Sequence, residues 1–216
     1  MHPGLKEVIA RGRVLARGAE SIVVLHEWFG LDAVYKIRLP REYRHPDLDS
    51  RLRRNRTRRE ARTLVRLADA GLPVPTLYEA DVEECLVVTE YVPGPSLRDA
   101  LEEGEAGPEH VEELGRIAAS LHGMGIVHND LTTSNVIVAD DGPVLIDLGM
   151  SFDSGDPKDH AIDLRVFERC LESSHPSLSD ELWRAFLRGY EEEAGEKRTE
   201  TVLRELERIK SQVRYV

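Results

Sequence analysis

The sequence predicts an α+β protein with two lobes, a small strand-rich lobe followed by a helical one. Short β-branched runs dominate the N-terminal part, and helix-type periodicity dominates the remainder. Pro93-Gly94-Pro95 is the clearest break between the two patterns. We therefore expect an N-terminal lobe over residues 1–92 and a C-terminal lobe over 93–216, within one domain.

The N-terminal lobe is expected to combine strands with one long helix. Four β-branched-rich runs predict strands, at residues 21–25, 33–37, 76–79 and 86–91. The first two are separated by a turn around Gly30. Leu48–Ala70 has helical spacing and is stopped by Gly71 and Pro73. Its apolar residues are expected on one face: Leu52, Ala61, Leu64, Val65 and Ala68.

The C-terminal lobe is expected to be mainly helical. Pro108 opens a helix whose shared apolar face consists of Val111, Leu114, Ala118 and Leu121. Val136–Val138 and Val144–Ile146 flank Asp-Asp-Gly-Pro, which predicts a short hairpin. From about Ala161 the pattern is helical and ends in a stripe of Val202, Leu206, Ile209 and Val213.

Composition excludes several classes of protein. The 216 residues carry a net charge of −11, which argues against a molecule that binds nucleic acid over its whole surface. No apolar run approaches the length of a membrane span, and no signal-peptide pattern begins the sequence. Cys85 and Cys170 fit neither a metal site nor a disulfide framework, so we expect a reduced, cytoplasmic protein.

Two motifs indicate phosphoryl transfer. Residues 128–135 read His-Asn-Asp-Leu-Thr-Thr-Ser-Asn, the H-x-D-x-x-x-x-N pattern of kinase-type enzymes. In this pattern Asp130 accepts or orients the proton of the attacking hydroxyl, and Asn135 binds a metal ion. After the predicted hairpin, Asp147 begins a D-x-G motif and would hold Mg²⁺ across the phosphates of ATP. His128 is expected to fix the loop by packing and hydrogen bonding. The combined spacing favours this interpretation over ordinary turn residues.

The N-terminal lobe contains residues that match the same reaction. Lys36 lies on a predicted strand, like the kinase lysine that contacts the α- and β-phosphates. Glu60 is the expected partner of this lysine because it lies on the long helix, although Glu42 also follows Lys36 in the sequence.

Two further segments are candidates for nucleotide contacts. Gly18, Ala19 and Glu20 lie between strand-like runs, where a phosphate-covering loop would be, but a single glycine fits a plain hairpin turn equally well. Glu90 and Val92 lie at the end of a strand before Pro93, where a hinge would offer backbone groups to adenine.

The sequence resembles a more specific family than kinases in general. The segments that carry the resemblance are Gly18–Glu20, Lys36–Pro46, Arg53–Arg62, His128–Asn135, Ile146–Phe152, Asp163–Arg169 and His175-Pro176. Together they resemble the small atypical kinase of the KEOPS complex, the Kae-associated kinase family. The resemblance extends over most of the chain.

This resemblance implies a compact, bilobal protein-kinase-like fold without a full activation segment, using ATP and Mg²⁺. No Ala-Pro-Glu follows Gly149, in agreement. The family binds the Kae-type threonylcarbamoyl transferase subunit and other KEOPS subunits. It acts as an ATPase or serine/threonine kinase in the complex that makes N6-threonylcarbamoyladenosine on tRNA. The resemblance also implies that the basic tail, residues 210–216, lies near the ATP site and the partner.

Three positions depart from related patterns. Asn129 stands where the family usually has Gly, and Leu148 where Phe is common. Thr132 occupies the place of the catalytic-loop lysine of ordinary protein kinases, so one stabiliser of the transferring phosphoryl group is lost. Weak protein phosphorylation with substantial ATP hydrolysis is therefore our hypothesis.

Two alternatives to this function stay open at this point. Small-molecule phosphotransferases of the aminoglycoside or choline kinase type share both motifs, but usually carry longer helical inserts. A non-catalytic ATP-binding module is the other alternative. The segment Arg51–Arg66 is rich in arginine and is either a solvated helix face with Arg–Glu pairs or a contact surface for tRNA phosphates.

Overall fold

A computed structural model describes residues 4–18 and 20–213 and confirms the α+β class. The described residues divide into two compact units. The first consists of residues up to 70 together with 74–92, and the second of residues 71–73 together with those from 93 onward. Across these described ranges, no helix is both long enough and apolar enough to cross a membrane.

The first unit is a five-stranded antiparallel sheet with two helices. The strands are ordered β1-β2-β3-β5-β4. The elements are α1 (Leu5–Arg11), β1 (Arg13–Arg17), β2 (Ser21–Trp28), β3 (Leu31–Arg38), α2 (Pro46–Asp69), β4 (Leu77–Asp81) and β5 (Leu86–Glu90). All four predicted strands and the long helix are therefore confirmed, with boundaries shifted by a few residues.

The central strand β3 has two different faces. Ala33, Tyr35 and Ile37 alternate on one face and form an apolar cluster with Val8 of α1. Lys36 and Arg38 lie on the opposite face, where both contact Glu60 of α2. The sheet therefore has an apolar layer on one side and a charged layer, covered by α2, on the other.

The buried face of α2 differs from the predicted one. Val65 is 46% exposed and Ala68 is exposed as well, whereas Leu67 is fully buried. Thr57 and Glu60 are also buried on the inner side. The prediction was wrong at Val65 and Ala68 because it assumed an apolar interface, whereas four of the six buried residues of α2 are polar.

The second unit is mainly helical and contains two small sheets, a β7–β8 hairpin and a β6–β9 pair. Its elements are α3 (Leu97–Glu103), α4 (Pro108–Gly123), β6 (Ile126–Val127), β7 (Val136–Ala139), β8 (Gly142–Leu145), β9 (Phe152–Asp153), α5 (Pro157–Ser174), α6 (Ser179–Ala194) and α7 (Glu196–Val213). The predicted hairpin is confirmed. The predicted apolar face of α4 is buried throughout.

Helices α4 and α6 approach so closely that their backbones touch. A Cβ atom on Gly115 would lie 2.1 Å from the carbonyl oxygen of Phe186. A Cβ atom on Gly189 would lie 1.8 Å from the carbonyl oxygen of Glu112. Both glycines are therefore required by the interhelical distance, since backbone atoms cannot move aside as side chains do.

We predict that Gly189→Ala lowers the free energy of unfolding by about 2 kcal/mol, because the new methyl group forces the two helices apart. Urea denaturation monitored by circular dichroism measures this change. Gly123→Ala, at the end of α4, is the matched control because its Cβ would meet no atom closer than 3.7 Å. It should leave stability unchanged or raise it by up to about 1 kcal/mol. Equal stabilities of the two variants would contradict the close contact.

Candidate active site

The β7–β8 hairpin brings the two predicted metal-binding residues together. Asn135 directly precedes β7, and its carbonyl oxygen accepts a hydrogen bond from the backbone N–H of Ile146 at 2.9 Å. Asp147 is the next residue after Ile146. The ladder therefore fixes the residue at the end of the H-x-D-x-x-x-x-N motif beside the first residue of the D-x-G motif.

Asp130 and Asn135 are directly bonded to each other. The Nδ2 atom of Asn135 donates to the backbone oxygen of Asp130 at 2.8 Å and to its carboxylate Oδ2 at 3.0 Å. Both bonds use the amide nitrogen, so the amide oxygen is left to act as an acceptor or a ligand. The loop of residues 128–135 thus presents a carboxylate and an amide oxygen in a fixed relation.

His128 connects this loop to the strand that leads to Asp147. Its side chain is buried. Nε2 donates to the carbonyl oxygen of Ile146 at 3.3 Å, and Nδ1 accepts from the backbone N–H of Asp130 at 3.3 Å. The carbonyl can only accept, so these two bonds require the neutral tautomer with the proton on Nε2. The expected packing and bonding role of His128 is confirmed.

Asp163 of α5 anchors this loop through hydrogen bonds. The motif analysis did not select Asp163 as a site residue. Its fully buried carboxylate accepts backbone N–H groups from His128 and Asn129, both at 2.6 Å. His122 of α4 contacts the same carboxylate through Nε2 at 3.2 Å. A negative charge without solvent requires such donors, so the carboxylate and the loop backbone stabilise each other.

A buried cluster of rings from α4, α5 and α6 lies next to Asp163. The hydroxyl of Tyr190 on α6 lies 2.8 Å from Nδ1 of His122. His160 stacks on His122 with ring centroids 4.4 Å apart. Burial lowers the pKa of His160 to about 4 and raises the pKa of Tyr190, so both side chains are neutral near pH 7.

Asn129 and Asp147 have left-handed backbone conformations, with φ of 65° and 58°. This region favours glycine and, among other residues, asparagine and aspartate. Asn129 is therefore an acceptable replacement for the glycine usual in the resembling family. Its amide also donates to the carbonyl oxygen of Met150 at 3.4 Å.

In the first unit, Lys36 and Glu60 form an ion pair, with Nζ 3.1 Å from Oε1. The side chain of Lys36 is 14% exposed and that of Glu60 is 5% exposed. Glu42, the other candidate partner, is exposed on the loop before α2. Arg38 binds the second oxygen of Glu60 and was not selected from the sequence. The sequence contained an indication of this contact, because Arg38 lies two residues after Lys36 and therefore on the same face of the strand.

Gly18 directly follows β1, and Glu20 directly precedes β2. Gly18 donates its N–H to the carbonyl oxygen of Ser21 at 3.0 Å, and Ala19 lies outside the described residues. The carboxylate of Glu20 is bound by the guanidinium groups of Arg44 and Arg56. These contacts tie Glu20 to the loop before α2 and to α2 itself.

The predicted hinge segment follows β5. The backbone N–H of Glu90 donates to the carbonyl oxygen of Thr76 at 2.9 Å. The carboxylate of Glu90 accepts from the N–H and hydroxyl of Thr76, at 3.1 and 2.8 Å. Val92 is half-buried. The tail residues 214–216, another predicted element of the site, lie outside the described residues.

Comparison with solved structures defines the class of fold. The chain is similar to the Rio2 kinase from Chaetomium thermophilum, solved with ADP, Mg²⁺ and phosphoaspartate, with a TM-score of 0.61 and 16% identity over 98% of this chain and 75% of that one. It is also similar to WaaP in complex with acyl carrier protein, with a TM-score of 0.58 and 20% identity over 86% of this chain and 80% of that one. The fold is therefore protein-kinase-like.

Sequence comparison identifies the family. Residues 33–169 match the RIO domain. The mouse EKC/KEOPS complex subunit Tp53rkb is 36% identical over 91% of this chain and 84% of its own length. The Pyrococcus abyssi KEOPS complex subunit Bud32 is 32% identical over 94% and 96%. The chain belongs to the RIO domain family and, within it, to the Bud32/Tp53rkb family of KEOPS complex subunits.

Other relatives are longer proteins. The probable bifunctional tRNA threonylcarbamoyladenosine biosynthesis protein of Methanothermobacter thermautotrophicus is 38% identical over 82% of this chain. This match covers 32% of that relative. The chain therefore spans about a third of the length of this bifunctional protein.

We predict that Asn129→Ala lowers the free energy of unfolding by about 1 kcal/mol, because alanine is strained at φ 65° and lacks the bond to Met150. Asn129→Gly should stay within about 0.5 kcal/mol of the original chain. Urea midpoints of the three proteins test this order. Equal midpoints for the alanine and glycine variants would show that the left-handed conformation imposes no constraint.

Proposed function

We propose that this chain is an ATP-dependent atypical serine/threonine kinase with ATPase activity, working as a KEOPS subunit in N6-threonylcarbamoyladenosine modification of tRNA. The observation that carries the proposal is the bonded pair Asp130–Asn135, in a loop whose first residues, His128 and Asn129, are bound by the buried carboxylate of Asp163. A turn of ordinary polar residues has no need of such an anchor. The names of the relatives Tp53rkb and Bud32 support the biological setting.

The residues of the second unit suit the proton transfer and the metal binding that phosphoryl transfer requires. Asp130 orients a hydroxyl or water and accepts its proton. The amide oxygen of Asn135 and the carboxylate of Asp147 fit Mg²⁺, which prefers oxygen ligands and usually takes one or two from carboxylates. Bound Mg²⁺ supplies charge neutralisation on phosphate oxygens. His128 keeps Asp130 and the segment before Asp147 in register.

In the first unit, Lys36 suits the phosphates of ATP. Its ammonium group is held by Glu60, so it is oriented before a ligand binds. We assign the backbone around Gly18, Ala19 and Glu20 to the phosphate loop, and the backbone of Glu90 and Val92 to adenine. The ion pairs of Glu20 with Arg44 and Arg56 support a fixed position for Glu20 in this assignment.

The proposal includes the partners and the location of the protein. We propose that the chain binds the Kae-type threonylcarbamoyl transferase subunit among the KEOPS subunits. The relatives named as KEOPS subunits support this assignment. A cytoplasmic location fits Cys85 and Cys170, both of which are free thiols.

We expect Asp130→Asn to reduce ATP hydrolysis and phosphotransfer at least about a hundredfold, because the amide cannot accept the hydroxyl proton. The measurements are phosphate release and transfer of labelled phosphate, with ATP and Mg²⁺, in the presence and absence of a Kae-type partner and tRNA. Asp141→Asn is the matched control, since Asp141 is exposed in the β7–β8 turn. Hydrolysis by the Asp130→Asn variant equal to that of the original chain would refute the proposal.

The arginine-rich helix α2 supports a contact with RNA phosphates. Three of its arginines are paired with carboxylates: Arg53 with Asp49, Arg54 with Glu83 and Arg56 with Glu20. Others are exposed, and Arg51, Arg58 and Arg62 follow one another at helical spacing on one face. We propose that this exposed face contacts tRNA phosphates.

Reversing two of these charges, with Arg58→Glu and Arg62→Glu, should weaken tRNA binding by the complex about tenfold and reduce its salt dependence. The control carries Arg184→Glu and Arg204→Glu, two exposed arginines on other helices, and has the same net charge. Filter binding at several salt concentrations distinguishes them. Equal loss in both variants would mean that only overall charge matters.

A further inference from the structure

The carboxylate of Glu60 has two cationic partners rather than one. Oε1 lies 3.1 Å from Nζ of Lys36. Oε2 is bound by Nη2 of Arg38. The side chains of Arg38 and Glu60 are each only 5% exposed, so this is a buried pair and not a surface contact. Glu60 is therefore shared between a lysine and an arginine from the same strand.

The geometry of the strand and the helix explains why both cations reach the same residue. Lys36 and Arg38 are two apart on β3 and point to the same face of the sheet. Thr57 and Glu60 are three apart on α2 and share its inner face, separated by roughly 4.5 Å along the helix axis. A guanidinium group can span this separation because it carries several N–H groups in one plane.

Arg38 is held in place by a second acceptor. Its Nη1 donates to the hydroxyl oxygen of Thr57 at 3.3 Å. That hydroxyl donates in turn to the carbonyl oxygen of Arg53 at 3.0 Å, and Thr57 is fully buried. The direction of the Thr57 hydroxyl is thus fixed. Arg38 has little freedom to leave Glu60.

We infer that Arg38 is a positioning residue for Lys36 in the binding of nucleotide phosphates. Arg38 holds one oxygen of Glu60, which turns the other oxygen toward Lys36. Arg38 also adds a second positive charge beside Glu60, so less of the carboxylate's negative charge offsets that of Lys36. The ammonium group of Lys36 therefore keeps attraction for an anionic ligand while it stays oriented.

This inference rests on the proposed function, since it assumes that Lys36 contacts the phosphates of a nucleotide. A positioning role and a purely structural role of Arg38 predict different effects on ligands with and without phosphate groups. A structural role predicts that loss of Arg38 weakens every ligand or none. A positioning role acting through Lys36 predicts weaker binding of phosphate-bearing ligands only.

The test measures binding of ADP, tripolyphosphate and adenosine to the 216-residue chain by calorimetry, with folding of each variant checked by thermal denaturation. Arg38→Gln should weaken the binding of ADP and tripolyphosphate about tenfold, the size of loss seen when a supporting hydrogen-bond partner is removed at metal sites, and leave the binding of adenosine unchanged. Arg38→Lys should have an intermediate effect because the charge stays and the fork is lost. Arg11→Gln, the matched control, removes an exposed Arg–Glu pair on α1 and should change ADP binding less than about twofold.

A double-mutant cycle tests whether Arg38 acts through Lys36. In a Lys36→Met background, Arg38→Gln should cause no further loss of ADP affinity, because the residue that it positions is gone. A full-size additional loss in that background would overturn the inference. Unchanged ADP affinity of Arg38→Gln, or an equal loss of adenosine affinity, would overturn it as well. If Arg38→Gln does not fold, Arg38→Lys decides: ADP affinity equal to that of the original chain would overturn the inference.

Failure of the inference and failure of the proposed function give different results. A chain that binds ADP but hydrolyses ATP no faster than its Asp130→Asn variant overturns the proposed function, and the binding series still decides the role of Arg38. A chain that binds neither ADP nor tripolyphosphate overturns both.

Discussion

The buried carboxylate of Asp163 is the interaction on which the second unit depends. A charge removed from water must find donors inside the protein, and here two of the three come from consecutive backbone N–H groups of the 128–135 loop. The loop therefore serves as the solvation shell of this charge. Asp130 and Asn135 lie on that shell, so the geometry of the candidate site follows from the requirement to satisfy Asp163.

The first unit also contains a buried carboxylate, that of Glu60, and satisfies it with a different set of donors. The side chain of Glu60 is only 5% exposed, and its carboxylate is bound by the side chains of Lys36 and Arg38 rather than by backbone groups. Side-chain donors can change with the ligand, whereas backbone donors cannot. The second unit thus holds Asp130 in a framework of backbone hydrogen bonds, and the first unit orients Lys36 through side-chain contacts.

Local patterns in the sequence predict most of the fold, and tertiary requirements explain what they miss. Four strands of the larger sheet, the β7–β8 hairpin and the apolar face of α4 depend on short-range spacing and were predicted correctly, whereas β1, β6 and β9 were not predicted. The short helix α3 was not predicted, although Ser96 caps it and Gly104 ends it. The face of α2 was misplaced because Thr57 and Glu60 are polar residues buried by partners on another element. For the same reason the motifs identify Asp130 but not the anchoring role of Asp163, which depends on contacts made only in the folded chain.

The backbone contact between α4 and α6 has a consequence for how this family can vary. The distance between the two helices is set by Gly115 and Gly189, and that distance allows the hydroxyl of Tyr190 to reach His122. A homologous chain with a larger residue at either glycine must hold the helices further apart. Its residue at the position of Tyr190 can then no longer bridge the gap unless another side chain or a water molecule replaces the hydroxyl. We therefore expect the two glycines, the tyrosine and the histidine to be inherited as a set.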